Sequence, residues 1–146
     1  MGNVIPLISS GVAGPLGVLH LPRLWQKVSL SNAGQLHDEY PAIGAGYDQM
    51  VLDGLGIDKG ALEGYMAASK PSYNQLETWV LEQKGGSLDA AAVGELNAAI
   101  RGYNHADDTR KSICDCCGID DDGSIRDAVN LNNLEDWATF HQQLNS

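Results

Sequence analysis

The sequence predicts an all-α fold: a compact single-domain bundle of about seven short helices spanning 1–146, with an irregular N-terminal arm over 1–20. Three observations predict it. Apolar residues recur at i, i+3, i+4 and i+7 along much of the chain, which is the period of an amphipathic helix. Capping residues and Gly or Pro separate one such segment from the next. No stretch sustains apolar–polar alternation between turn residues, so no strand pattern competes.

The opening MGNVIPLISSGVAGPLGVLHLPR is apolar, but it carries no basic residue before Arg23 and is broken by Pro6, Pro15 and several glycines. A signal peptide needs a basic start and an unbroken apolar core, and a membrane helix needs roughly 18 or more apolar residues. Pro6 also breaks the myristoylation pattern. The segment therefore reads as an ordered, non-helical arm packed on the domain.

Leu21, Leu24, Trp25 and Val28 mark the first helix, with Pro22 in its first turn and Asn32 and Gly34 at its end. Tyr47 to Leu55 forms the second, ended by Gly54 and Gly56. Asp58 caps a third through Ala67, and Lys70-Pro71 breaks it. Ser72-Tyr-Asn-Gln75 is a capping box for the fourth, which Gly85-Gly86 closes. Ser87 or Asp89 caps a fifth running to about Tyr103, with Val93, Leu96, Ile100 and Tyr103 as its apolar stripe. The sixth covers about 106–117 and ends at Gly118, with Asp107 and Asp108 favoured by the dipole at its start. DDDGSIRDAVNLNN reads as a polar connection with room for one turn of helix. Asn132-Asn-Leu-Glu135 then opens the last helix, which places Leu134, Trp137, His141 and Leu144 on one face.

Size and charge narrow the function. A chain of 146 residues buries enough surface to fold without a disulfide or metal. A net charge of −10, with no Lys/Arg stripe, disfavours nucleic acid. Cys114, Cys116 and Cys117 crowd together in an odd-numbered set, which fits a reducing cytoplasm better than a disulfide framework. They offer neither the paired spacing of structural zinc nor a C-x-x-C redox motif. Asp120-Asp-Asp-Gly123 fails as a calcium loop, because Gly118 and Val129 stand where ligands are needed. No nucleotide, nucleophile-elbow or metalloprotease motif is present. The expectation is no metal, no cofactor, no nucleic acid and no membrane.

Two constellations can carry chemistry. In HDEYPAIGAGYDQM, His37 can serve as acid or base, Asp48 can orient it, and Tyr40 and Tyr47 can donate to a developing oxyanion. A solvated loop accounts for the same residues. On the fifth helix, Asn97, Arg101 and His105 fall at i, i+4 and i+8 beside Tyr103. Arg101 can hold a carboxylate or phosphate, and His105 is a second candidate base. Pairing of Arg101 with Asp107 or Asp108 is the plainer account. The candidate catalytic residues are thus His37, Asp48 and His105, and the candidate ligand-binding residues are Tyr47, Asn97, Arg101 and Tyr103. His141 is expected to be a satisfied core or helix-end histidine.

PRLWQK, GYDQMVLDGLGID, AAIRGYNH and NLNNLEDWATFH resemble the signatures of an uncharacterised bacterial family, catalogued as domain of unknown function 5069. The resemblance runs over nearly the whole chain, arm included. It implies a stand-alone bacterial domain and carries over no activity and no catalytic residue. The cysteine cluster lies outside these blocks.

Two expectations of function follow. In the first, the 37–48 loop and the end of the fifth helix face one cleft that binds a small acidic or carbonyl compound and performs cofactor-independent acid–base chemistry on it. The alternative is a protein-interaction or assembly module without catalytic activity, which predicts a contiguous apolar patch.

Overall fold

The computed structural model describes residues 2–146, and among these it forms a compact all-α bundle. Its helices are α1 (Leu21–Asn32), α2 (Tyr47–Leu55), α3 (Lys59–Ser69), α4 (Tyr73–Gln83), α5 (Ala90–Gly102), α6 (Asp107–Cys117) and α7 (Ala128–Leu144). The caps expected from sequence form: Asp58 accepts from Ala61 N, Ser72 and Gln75 close a reciprocal box, and Asp89 accepts from Ala91 N. α2 ends on Gly56 at φ 66°, the left-handed conformation that glycine adopts without a Cβ clash.

α1 is the hub. It packs against α2, α3 and α4, while α2 lies on α5, α5 touches α7, and α6 pairs with α7. Leu21, Leu24 and Val28 of α1 meet Val51 and Leu52 of α2, Met66 of α3, Leu76 and Val80 of α4, and Ile100 of α5 in one core. Fully burying each such aliphatic side chain contributes roughly 1.5–3 kcal/mol, and this packing holds helices too short to persist alone. Gly54 lets α2 approach α5: a Cβ there would stand 2.8 Å from Leu96 Cδ1. A smaller cluster of Ile113, Cys114 and Leu131 joins α6 to α7.

The arm is irregular, as expected, and it is tied down by single bonds rather than by a sheet. Val4 N donates to Gln35 O and His37 N to Val4 O, both at 2.9 Å. Ile8 N donates to Gln26 Oε1, and Leu16 N to Glu77 Oε2.

The last helix departs from the sequence reading twice. It starts at Ala128, capped by Asp127 accepting from Asn130 N, so Asn132 and Asn133 lie inside it rather than opening it. Ala128 and Leu131 are fully buried, and Ala128 N donates to Tyr103 O. Those tertiary contacts select the earlier start. Its expected apolar face does form, but it points outward: Trp137 is 56% exposed and Leu144 67%. The buried residues are Ala128, Leu131, Asp136 and Thr139. Of the two placements expected for His141, the helix end is the one observed: it is exposed in the last turn and not part of the core.

Candidate functional site

His20, Arg23 and Lys27 fall at i, i+3 and i+7 along the start of α1, so they share one face. All three are buried. A buried charge is costly unless paired, and each finds a partner far away in sequence. Asp48, on the first turn of α2, accepts from Lys27 Nζ at 2.5 Å and from Gly44 N at 2.7 Å through Oδ2, and from His20 Nε2 at 2.6 Å through Oδ1. The other ring nitrogen of His20 lies 2.8 Å from Ser10 Oγ. With Asp48 ionised, Nε2–H is the donor, so Nδ1 accepts the Ser10 hydroxyl proton. Arg23 forms a two-pronged bridge to Asp136 of α7, at 2.6 and 3.1 Å, and its Nη1 also donates to the carbonyls of Pro6 and Ile8. Tyr40 OH completes Asp136 at 2.9 Å.

The protonation states follow from these contacts. Burial alone pushes the Asp48 carboxyl up. The His20 hydrogen bond, the Lys27 charge and the Gly44 amide outweigh it and hold the group at about 2. Burial drives His20 below its ordinary value, against the pull of Asp48, so it is neutral. Its backbone sits at φ 72°, a left-handed conformation that a side chain resists. The hydrogen bonds at both ends of its ring hold it there.

Above this network opens a cleft of about 500 Å³. His20, Arg23, Lys27 and Asp48 form part of its lining. One wall is a run of rings: His20 to Tyr47 at 5.3 Å, Tyr47 to Tyr103 at 5.5 Å, and Tyr103 to His105 at 5.9 Å between centroids. Tyr47 OH donates to Ile100 O at 2.6 Å, which fastens α2 to α5, and burial raises its pKa to about 12. α7 supplies Asn132, Glu135 and Thr139, and Ser112 and Cys116 of α6 border the opening.

Two titratable side chains here keep polar atoms without a hydrogen-bond partner among the described residues. His105 Nε2 lies 2.8 Å from Asn132 Oδ1, which fixes Nε2–H as donor and leaves the Nδ1 lone pair as acceptor. Glu135 is in no ion pair among the described residues. Burial and then the neighbouring Asp136 raise its pKa, against the pull of His105. Asp48, by contrast, has both oxygens committed, so it positions His20, Lys27 and the Gly44 loop rather than acting as a free base.

The structure brings Tyr47, Asp48, Tyr103 and His105 to this one cleft, so the quoted loop and the end of α5 do meet. Asn97 is not part of the lining. Its Oδ1 accepts from Leu19 N and its Nδ2 donates to Gly17 O, so its side chain is spent on the arm. Asn97→Ala is expected to lose about 1–3 kcal/mol in urea unfolding, because two backbone groups lose their partner. Arg101→Ala should change stability by less than about 0.5 kcal/mol, since Arg101 is exposed on α5 away from the cleft. His37 also lies outside the lining, with its Nδ1 accepting from Glu39 N. The cations at the cleft are Arg23 and Lys27.

Sequence reasoning missed His20, Arg23, Lys27 and Glu135. A signal for the first three existed: a chain with 9 basic residues puts two of them and a histidine at i, i+3 and i+7. Among the described residues no set of three His, Cys, Asp or Glu converges to hold a metal ion. Burial raises the thiols of Cys114 and Cys117, so neither is activated. No helix among the described residues is long and apolar enough to cross a membrane.

Fold and cleft together define the class: a small all-α domain built around a buried charged network beneath an open polar cleft. The chain belongs to the family described as domain of unknown function (DUF5069), whose model matches residues 10–136. No curated protein and no solved structure matches it.

Proposed function

We propose that the cleft binds a small acidic or carbonyl compound and performs cofactor-independent acid–base chemistry on it. The observation that carries this reading is the convergence of Asp48, His105 and the buried cations of α1 on one cleft of metabolite size. Lys27 has three N–H donors and, among the described residues, is committed to Asp48 alone, so it is the anchor for a carboxylate or carbonyl oxygen. His105 and Glu135 are the proton-transfer pair, consistent with a histidine lone pair and a carboxyl whose pKa is raised. Tyr47 and Tyr103 supply the apolar wall. Three free cysteines fit a reducing compartment, and we place the domain in the cytoplasm. The alternative, an interaction module without catalytic activity, draws on the apolar outer face of α7.

The test is a titration of ¹⁵N-labelled protein with small mono- and dicarboxylates, 2-oxo acids and aldehydes, followed by NMR. The amides of Gly44, Gly46, His105 and Thr139 are expected to shift. His105→Ala should abolish those shifts while losing only about 1 kcal/mol of stability. Glu135→Gln should keep the shifts and stop turnover of whichever compound is converted. A second groove lies between α1 and α3, lined by Trp25, Met66 and Pro71; shifts confined to it, or none at all, would sink the reading.

A further inference from the structure

α7 is turned inside out relative to an ordinary surface helix. At 100° per residue, Leu134, Trp137, Phe140, His141 and Leu144 fall in one sector of roughly 120°. That sector faces outward: Trp137 is 56% exposed, Leu144 67% and Phe140 40%. The polar residues Asn132, Glu135 and Thr139 face inward to the cleft. The arm extends the outer face. Gln143 Nε2 donates to Asn3 O, and Val4 and Leu7 share a shallow groove with Phe140.

The charge distribution singles out the same face. All 19 acidic and 9 basic residues lie between Arg23 and Asp136, so residues 1–22 and 137–146 carry none. Yet Val4, Leu7, Val12, Trp137, Phe140 and Leu144 are six of the eight large hydrophobics exposed among the described residues. The exposed apolar surface and the charge-free segments therefore coincide.

We infer that this face pairs two copies of the chain about a twofold axis, α7 against α7. A body of net charge −10 repels its copy wherever carboxylates meet. A twofold contact sets the same patch against itself, and the residues that line this patch include no Asp, Glu, Lys or Arg. A basic protein partner would be recruited by the acidic faces instead, and an anionic bilayer would be repelled. The pairing is independent of the proposed cleft chemistry, although it would brace the helix that carries Asn132 and Glu135.

Sedimentation velocity of the full chain from 1 to 100 µM tests this directly. The wild type is expected to sediment as a dimer of twice 15.6 kDa. Trp137→Glu and, separately, Leu144→Glu should each raise the dissociation constant at least about thirty-fold, the effect of removing an interface hot spot. Both side chains are exposed, so unchanged circular dichroism is expected for both variants. A wild type that stays monomeric to 100 µM overturns the inference. So does a dimer indifferent to both substitutions, or a monomer that binds uncharged phosphatidylcholine vesicles or a different protein chain through Trp137.

Discussion

Asp48→Ala is expected to destabilise the domain by about 3–5 kcal/mol, a large share of the roughly 5–15 kcal/mol typical of a domain. The carboxylate has three partners on two segments, and its loss strands the Lys27 ammonium and the Gly44 amide. Asp48→Asn should lose a similar amount, because shape is kept but the counter-charge is gone. The wild type should also be sensitive to acid in two windows. The folded pKa of His20 lies below the ordinary 6.5, so the unfolded chain takes up that proton first. Its contribution is complete above 6.5 and falls away below it. Asp48 is held at about 2 against an ordinary 3.8, so its contribution of roughly 2 kcal/mol is complete above 3.8 and is lost as pH falls through 2. Urea midpoints measured from pH 7.5 to 2.5 check both windows. His20→Asn, a residue type that tolerates left-handed backbone, should flatten the upper window and leave the lower. A wild-type midpoint that does not fall between pH 6.5 and 4 contradicts this account of His20.

Arg23→Ala is the second large effect, again about 3–5 kcal/mol. Among the described residues it leaves the buried Asp136 carboxylate with only the Tyr40 hydroxyl, and it frees the carbonyls of Pro6 and Ile8. Stability loss should therefore come with faster amide exchange in the arm, a readout that loss of packing elsewhere does not give. The double change Arg23→Met, Asp136→Leu should recover much of the loss, because an apolar pair of similar volume removes the desolvation penalty. A full double-mutant cycle isolates the coupling. Strict additivity of the two single variants would contradict the bridge.

The helices were legible because their signals are local. Asp58, Ser72 with Gln75, and Asp89 cap where their spacing says, and Gly56 and Gly118 stop helices through left-handed backbone. The start of α7 was not legible, because Asn132–Glu135 imitates a capping box while burial of Ala128 and Leu131 decides the outcome. Half of the candidate site was legible for the same kind of reason: Tyr47, Asp48, Tyr103 and His105, which line one cleft, sit at helix ends and in a loop, where polar clusters stand out. The deeper half was not. Asp48 meets His20 across 28 residues and Lys27 across 21, and Asp136 meets Arg23 across 113. No local pattern encodes such pairings. Arg101 and Asn97 illustrate the converse. Helical spacing aligned them with His105, but α5 ends at Gly102, and the chain beyond it turns His105 toward α7, away from their ridge.

Ligand binding in the cleft is tested most directly by native mass spectrometry. Protein purified gently is compared with its denatured mass, before and after incubation with the carboxylate and carbonyl panel. A reproducible small added mass on the wild type, absent from His105→Ala, is the predicted result. A clean mass in both conditions, whether as monomer or dimer, would contradict the proposed function and leave the cleft as the roof of a structural charge network.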